Sequence, residues 1–166
     1  SAHFFLDVYL NYSNVPKASV EVINLSAEKL PDAMKTGKVD AISSFEPYAY
    51  QTLQLLQDRA MRMEKIELFK EAFIVVGMKD YIKNHPETLK KVLRSIDRGI
   101  SFIKKNKRES IEILTGKLKV DDKFLETAWD GYVFDLSLDQ SLLIVMEDQA
   151  RWAIKNKRTD KTRVPN

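Results

Sequence analysis

The stretch VEVINLSAEKLPDAMKTGKVDAISSFEPY, residues 20–48, decides the fold that the sequence predicts. Apolar residues dominate residues 20–25 and again residues 39–45, as in strands of a sheet that is covered on both faces. Between the two runs, Ser26 stands where a helix cap belongs and Gly37 stands where a short helix ends. A strand, a helix and a strand in so few residues predict a βαβ unit with parallel strands and a right-handed connection.

The sequence on either side of this stretch supplies further elements. Residues 2–12 carry large apolar side chains and a narrow polar stripe at Asp7 and Asn11, which predicts a mostly buried helix. Beyond the central stretch, apolar runs predict two further strands over residues 66–69 and 72–78.

The later sequence has helical spacing. Apolar residues recur three and four apart after Tyr81, and Pro86 suits the first position of a long helix. Helices are predicted over residues 49–57, from residue 86 onward, and over residues 108–114, 121–129 and 138–155. The predicted class is α/β, with alternating strands and helices first and helices afterwards.

Composition narrows the classes of function. Of the 166 residues, 44% are hydrophobic and 31% are charged, and the net charge is only +3. Because the charges nearly balance, no strong field favours nucleic acid as a partner. The basic clusters at residues 104–108 and 155–163 follow apolar helical patterns, where cations suit the negative end of a helix. No nucleic-acid partner is therefore predicted.

Sequence signals for catalysis and for cofactors are missing. The chain has no cysteine, and its two histidines, His3 and His85, lie far apart. This composition excludes thiolate chemistry and does not favour a metal site. The motifs of serine hydrolases, P-loop proteins and Rossmann enzymes are absent. No catalytic residue, metal or cofactor is predicted, and the protein is not expected to be an enzyme.

Several stretches resemble segments of one protein family. Residues 1–6, SAHFFL, resemble the end of its Gly-Ser/Thr-Ser-Ala-x-x-x-Leu segment. Residues 34–41, MKTGKVDA, and residues 45–48, FEPY, are similar to its Ala-Leu-x-x-Gly-x-Val-Asp-Ala and Trp-Glu-Pro-Tyr run, with Phe45 in place of the commoner tryptophan. Residues 137–152 look like its closing helix. The chain thus resembles the nitrate, sulfonate, taurine and thiamine-precursor group of ABC-transporter substrate-binding proteins, which have the type II periplasmic-binding-protein fold.

The resemblance implies a two-lobed architecture. Residues 1–72 are expected to form the second lobe, with its βαβ units, and residues 73–166 the crossing strand and the helical return into the first lobe. The solute is expected to bind in the cleft while the lobes close around it. The start of the first lobe is expected to precede Ser1, so the chain is interpreted as a fragment, for which a dimer or a swapped assembly is expected.

The resemblance also implies a function and a location. The expected role is to deliver a small organic or anionic solute to the permease of an ABC importer. The expected location is the periplasm, or a lipid anchor on the outer face of the cytoplasmic membrane, after removal of a signal peptide. Two alternatives stay open: an extracytoplasmic sensor module of a signalling protein, and an enzyme similar to thiamine-pyrimidine synthase or to menaquinone-pathway enzymes.

One group of predicted ligand-binding residues lies at the start of the first helix. The first turn of a helix presents amides without helical partners and the positive end of the dipole, which suits an anionic group. By resemblance, the amides of Ala2 and His3 and the hydroxyl of Ser1 would hold a sulfonate, nitrate, phosphate or carboxylate. The alternative is that Ser1 is a helix cap only.

A second group ends the second strand of the predicted βαβ unit. Open α/β sheets bind ligands at the carboxyl ends of their strands. The residues expected to line the cleft there are Ser43, Ser44, Phe45 and Glu46. Phe45 would supply a flat apolar wall, and Glu46 would accept a hydrogen bond from an amine or amide of the ligand or would pair with a cation of the first lobe. The alternatives are that Phe45 belongs to the core and that Glu46 braces the turn before Pro47.

Overall fold

The computed structural model describes residues 1–63, 66 and 71–165 of the chain. Within these residues it contains eight α-helices and four 3₁₀ turns. The helices are α1 (Ala2–Tyr12), α2 (Leu30–Lys35), α3 (Tyr48–Leu56), α4 (Lys79–Asn84), α5 (Pro86–Lys105), α6 (Lys107–Leu118), α7 (Asp122–Ala128) and α8 (Gln140–Lys155). The 3₁₀ turns are Lys17–Ser19, Ala27–Lys29, Gln57–Arg59 and Trp129–Gly131.

The chain divides into two compact units. The first unit comprises Ser1–Ala72 and Gln140–Asn166, and the second unit comprises Phe73–Asp139. The boundary after residue 72 lies where the sequence predicts the end of the second lobe. Helix α8, however, groups with the first unit and not with the residues that directly precede it. The assignment of residues 1–72 and 73–166 to two lobes of a binding protein stays a prediction.

The predicted helices are confirmed where local signals agree with the spacing. Helix α1 covers the predicted residues. Helix α5 has Pro86 in its first turn and ends on Lys104 and Lys105, whose charges suit the helix dipole. Helix α7 begins after Asp121, whose carboxylate accepts a hydrogen bond from the amide of Lys123 at 3.0 Å. These ends are set by residues within one turn of the helix, which is why the sequence predicts them.

The predicted sheet is wrong. Over the described residues no segment pairs as a strand, so the fold is all-α and not α/β with βαβ units. Residues 20–25, 39–45 and 72–78 are extended or irregular, as at Val20, where φ is −126° and ψ is 124°. Of the strand predicted over residues 66–69, all but Ile66 lie outside the described residues.

The error has a physical cause. Branched and aromatic residues favour an extended backbone, and that preference is visible in the sequence. A strand also needs a second backbone at hydrogen-bonding distance, which is not a local property. Here α2 and α3 pack directly against each other, and residues 39–45 connect them as a loop. The predicted ligand-binding residues 43–46 therefore lie in a loop before α3 and not at the end of a strand.

Both units have small apolar cores. Among the described residues, the buried apolar side chains include Leu10, Pro31, Ala33, Leu56 and Ile66 in the first unit, and Ile111, Phe124 and Leu125 in the second unit. Many large apolar side chains remain exposed, among them Phe73, Val76 and Leu138. Since the apolar cores are this small, buried hydrogen bonds take a larger share in fixing the positions of the helices.

Candidate functional site

The two predicted groups of ligand-binding residues meet in the first unit. The Ser43 hydroxyl donates a hydrogen bond to the carbonyl oxygen of Ala2, and the Oγ–O distance is 2.9 Å. Both residues are partly buried. This contact places the start of α1 beside the loop that precedes α3. We call the combined surface the rim, and it consists of Ser1, Ala2, His3, Ser43, Ser44, Phe45 and Glu46.

Ser1 stands at the N-cap position of α1, but its hydroxyl makes no capping hydrogen bond. Its carbonyl oxygen accepts the first helical bond, from the amide of Phe5 at 2.9 Å. The amides of Ala2 and His3 have no acceptor within the helix, because the first turn lies before any i−4 carbonyl. The start of α1 therefore presents amide donors and a hydroxyl at one surface.

A cation from the C-terminal part of the chain lies beside the start of α1. The guanidinium Nη2 of Arg158 is 3.4 Å from Nδ1 of His3. The His3 ring also meets the Trp152 ring edge-on, with 5.2 Å between the ring centroids. The sequence indicates a basic cluster at residues 155–163 but assigns it to the end of a helix. The contact between Arg158 and His3 joins residues 155 positions apart in the sequence, so no local pattern predicts it.

Asp7 connects two helices of the first unit, because it lies in α1 and bonds to Trp152 in α8. The Trp152 Nε1–H donates to Oδ2 of Asp7 at 2.6 Å, and the Lys17 ammonium forms an ion pair with the same oxygen. Burial alone would raise the pKa of Asp7, but the hydrogen bonds from Lys17 and Trp152 outweigh burial and hold the pKa below its ordinary value of 3.8. Asp7 is only 5% exposed, so the polar stripe that the sequence predicts at Asp7 and Asn11 is buried at Asp7, whereas Asn11 is exposed.

The aromatic part of the rim is half exposed. Phe45 exposes 48% of its surface, and its ring meets the Tyr48 ring edge-on with 5.6 Å between centroids. The Ser44 hydroxyl donates to the carbonyl oxygen of Phe45 at 3.3 Å. Of the two interpretations of Phe45, the buried-core one does not agree with this exposure. An exposed ring with one fixed edge is a surface on which a flat or apolar group can lie.

Glu46 has both carboxylate oxygens occupied. Oε2 accepts a hydrogen bond from the amide of Tyr50 at 2.9 Å, in the first turn of α3. Oε1 accepts from the guanidinium of Arg62 at 2.7 Å. Glu46 thus braces the turn at Pro47, which was one of its two predicted roles. An amine on a ligand would have to share or replace the contact with Arg62, a partner that the sequence does not indicate.

The described residues hold no group of three or more histidine or acidic side chains placed to share a metal ion. None of the helices in the described part of the chain combines the length and the apolar character that a membrane span requires. The side chains at the rim are hydroxyls, an aromatic ring, an imidazole and a braced carboxylate. Such a set can donate and accept hydrogen bonds and offers one ring for stacking.

Comparison with known proteins places the chain in a family. Residues 2–110, about two thirds of the chain, match the sequence profile described as NMT1/THI5 like. The chain belongs to the NMT1/THI5-like family. This is the family of nitrate, sulfonate and thiamine-precursor binding proteins, and its members are mostly non-catalytic binding proteins, although the THI5 members are synthases. No curated protein and no solved structure matches the chain.

Proposed function

We propose that this chain binds a small organic or anionic solute as part of an extracytoplasmic binding protein that serves an ABC importer. Membership of a family made up mostly of binding proteins supports the general role. The observation that carries the proposal is the hydrogen bond between Ser43 and Ala2, because it joins the amide donors of α1 to the aromatic loop. These two elements lie 41 residues apart in the sequence, so their meeting is a property of the fold.

The chemistry of the rim favours a solute with one anionic end. The amides of Ala2 and His3 and the Ser1 hydroxyl are donors at the positive end of a helix dipole. The guanidinium of Arg158, beside His3, adds a full positive charge. An anionic group at this position would therefore gain charge-assisted hydrogen bonds. The remainder of the solute would lie against the exposed ring of Phe45.

We further propose that the chain works outside the cytoplasm, in the periplasm or attached by lipid to the outer face of the membrane. Its partner would be the permease of the importer, to which the bound solute is delivered. The proposed role involves binding and release without a covalent step.

A solute panel tests the proposal. Thermal-shift measurements with nitrate, taurine, an alkanesulfonate and a thiamine-precursor pyrimidine should reveal at least one solute that raises the melting temperature. Isothermal titration then compares wild type with Phe45→Ala, which should weaken binding about tenfold. Phe102→Ala is the matched control, because Phe102 is also a partly exposed phenylalanine, at 38%, but lies in the second unit. Equal effects of the two substitutions, or no response to any solute, would contradict the proposal that the rim binds a solute.

A further inference from the structure

Helix α5 of the second unit carries a line of exposed cations along one side. We call this line the basic stripe, and it consists of Lys91, Arg94, Arg98 and Lys105. Since an α-helix turns by about 100° per residue, these four positions fall within an arc of about 60°. From position 91 to position 105 the stripe extends along about 21 Å, at about 1.5 Å per residue. The helix therefore presents a straight positive edge.

The apolar residues of α5 lie on the side opposite the basic stripe. At the helical turn per residue, Leu89, Ile96, Ile100 and Ile103 share one face, about 180° from the centre of the stripe. These four side chains are half-buried, whereas the four cations of the stripe are exposed. The helix packs through its apolar face, so the basic stripe points into water.

The cations of the basic stripe have no acidic partner in the part of the chain that the structure describes. Neighbouring cations do have partners: Lys90 pairs with Glu87, Lys104 with Asp135 and Lys107 with Asp130. By contrast, no carboxylate there lies within ion-pair distance of Lys91, Arg94, Arg98 or Lys105. Like charges three and four residues apart oppose each other in a helix. An anionic partner would relieve this repulsion.

The character of the basic stripe indicates the kind of anionic partner. The core of a protein–protein interface is apolar and poor in charge, and the stripe has no apolar member. The net charge of the chain is only +3, which provides no strong long-range field toward nucleic acid. A line of long, flexible cations along one helix suits a flat surface with diffuse negative charge, as anionic lipid headgroups present.

We propose that α5 lies along an anionic lipid surface, with the basic stripe against the phosphate groups of the lipids. The helix does not insert, because its apolar face points away from the stripe. Each cation near such a surface strengthens binding about fivefold, so four cations give a weak, reversible association. Salt weakens it further, since the stripe is exposed. The association goes beyond the proposed solute binding and does not rest on it.

Vesicle sedimentation tests the proposal on the wild-type chain without any solute. At low salt, the chain should sediment with vesicles that contain phosphatidylglycerol and should stay in solution with vesicles of phosphatidylcholine alone. Binding to the anionic vesicles should fall steeply as salt is added. Equal binding to both kinds of vesicle would indicate apolar insertion and overturn the proposal, as would no binding to the anionic vesicles at low salt.

Charge-removing variants locate the binding surface. Lys91→Gln with Arg98→Gln removes two cations of the basic stripe and should weaken binding to the anionic vesicles about 25-fold. The matched control is Lys83→Gln with Lys117→Gln, which removes the same charge from exposed positions of the same unit outside α5. The control should weaken binding less than about threefold, because charges away from the contact are screened. Equal losses in the two variants would overturn the proposal.

Competition experiments separate a lipid surface from other anions. Soluble glycerol phosphate, at the same phosphate concentration as the vesicles, should not displace the chain, because a single headgroup meets too few cations. Displacement by it would indicate a pocket for one phosphate group and overturn the proposal. Tighter binding to a short DNA duplex than to the anionic vesicles, at equal phosphate concentration, would indicate nucleic acid as the partner and would also overturn it.

Discussion

Different kinds of contact stabilise the inside of each of the two units of this protein. In the first unit, hydrogen bonds join residues that are far apart in the sequence: Trp152 donates to Asp7 across 145 positions. In the second unit, helices that follow one another in the chain pack together, α4 with α5, α5 with α6 and α6 with α7. The first unit therefore combines the local packing of α2 on α3 with long-range polar contacts at Asp7, whereas the second relies on packing between consecutive helices and leaves much of its apolar surface exposed.

The largest loss of stability is expected when the Asp7 carboxylate is removed from the first unit. Asp7→Ala leaves the indole of Trp152 and the ammonium of Lys17 without their shared acceptor. We expect the free energy of unfolding to fall by about 2–3 kcal/mol, since a part-buried donor is left unsatisfied. Urea denaturation measures the loss. The control is Asp40→Ala, at an exposed position, which should change stability by less than about 0.5 kcal/mol. Equal losses would mean that the Asp7 contacts do not stabilise the first unit.

Replacing a glycine by alanine should lower the free energy of unfolding at Gly37 in the first unit and raise it at Gly116 in the second. Gly37, in the first unit, follows α2 with φ of 71°, and Gly37→Ala should cost about 1 kcal/mol because a side chain is strained there. Gly116 lies inside α6, and nothing lies within 4 Å of where its Cβ would be. Gly116→Ala should therefore stabilise by about 0.5–1 kcal/mol. Thermal and urea unfolding of both variants give the signs, and a gain at Gly37 would contradict the observed turn.

Removal of Glu46 should have a smaller effect, confined to the start of α3. Glu46→Ala removes the acceptor for the amide of Tyr50 and for Arg62, and should lower the free energy of unfolding by about 0.5–1 kcal/mol. Arg62→Ala removes only the exposed partner and should cost less than about 0.5 kcal/mol. Urea denaturation of the two variants measures the two losses of unfolding free energy. If Arg62→Ala proved the more costly, the bracing role of Glu46 would be wrong.

The smallest expected effect is the response of the Asp7 contacts to acid. Because the folded chain lowers the pKa of Asp7, the carboxylate stabilises the fold above the ordinary value of 3.8, and this contribution is lost as the pH falls through the lowered pKa. The difference in unfolding free energy between wild type and Asp7→Asn should therefore be constant near neutral pH and shrink below pH 3.8. A difference that grew on acidification would show the opposite shift.

The sequence predicts those parts of the fold whose causes are local. The spacing of apolar residues predicts α1, and Pro86 and Asp121 mark the starts of α5 and α7. The strand predictions fail because the preference for extended backbone is local but the pairing partner is not. The same limit applies to Asp7: the sequence places it in a narrow polar stripe, and neither the spacing nor the composition indicates its contacts with Lys17 and Trp152.

The candidate site was predictable only in its parts. The sequence indicates the seven rim residues in two separate stretches, and the structure brings Ala2 and Ser43 into contact. Whether these residues bind a solute stays a prediction. The sequence does not indicate Arg158 or Arg62, because their contacts with His3 and Glu46 are set by the fold. The available signal for Arg158 is the basic cluster near the end of the chain, and its position after an apolar helical pattern favours a helix end over an anion-binding patch.

Hydrogen exchange in the presence of a solute tests the central claim most directly. The amides of residues 2–6 and 43–50 should exchange more slowly once the solute with the largest thermal shift is added, because the rim is where it is proposed to bind. Those of α6, in the second unit, should be unchanged and serve as the internal reference. Protection that appears in α6 and spares both rim segments would contradict the claim that solute binds where α1 meets the loop before α3.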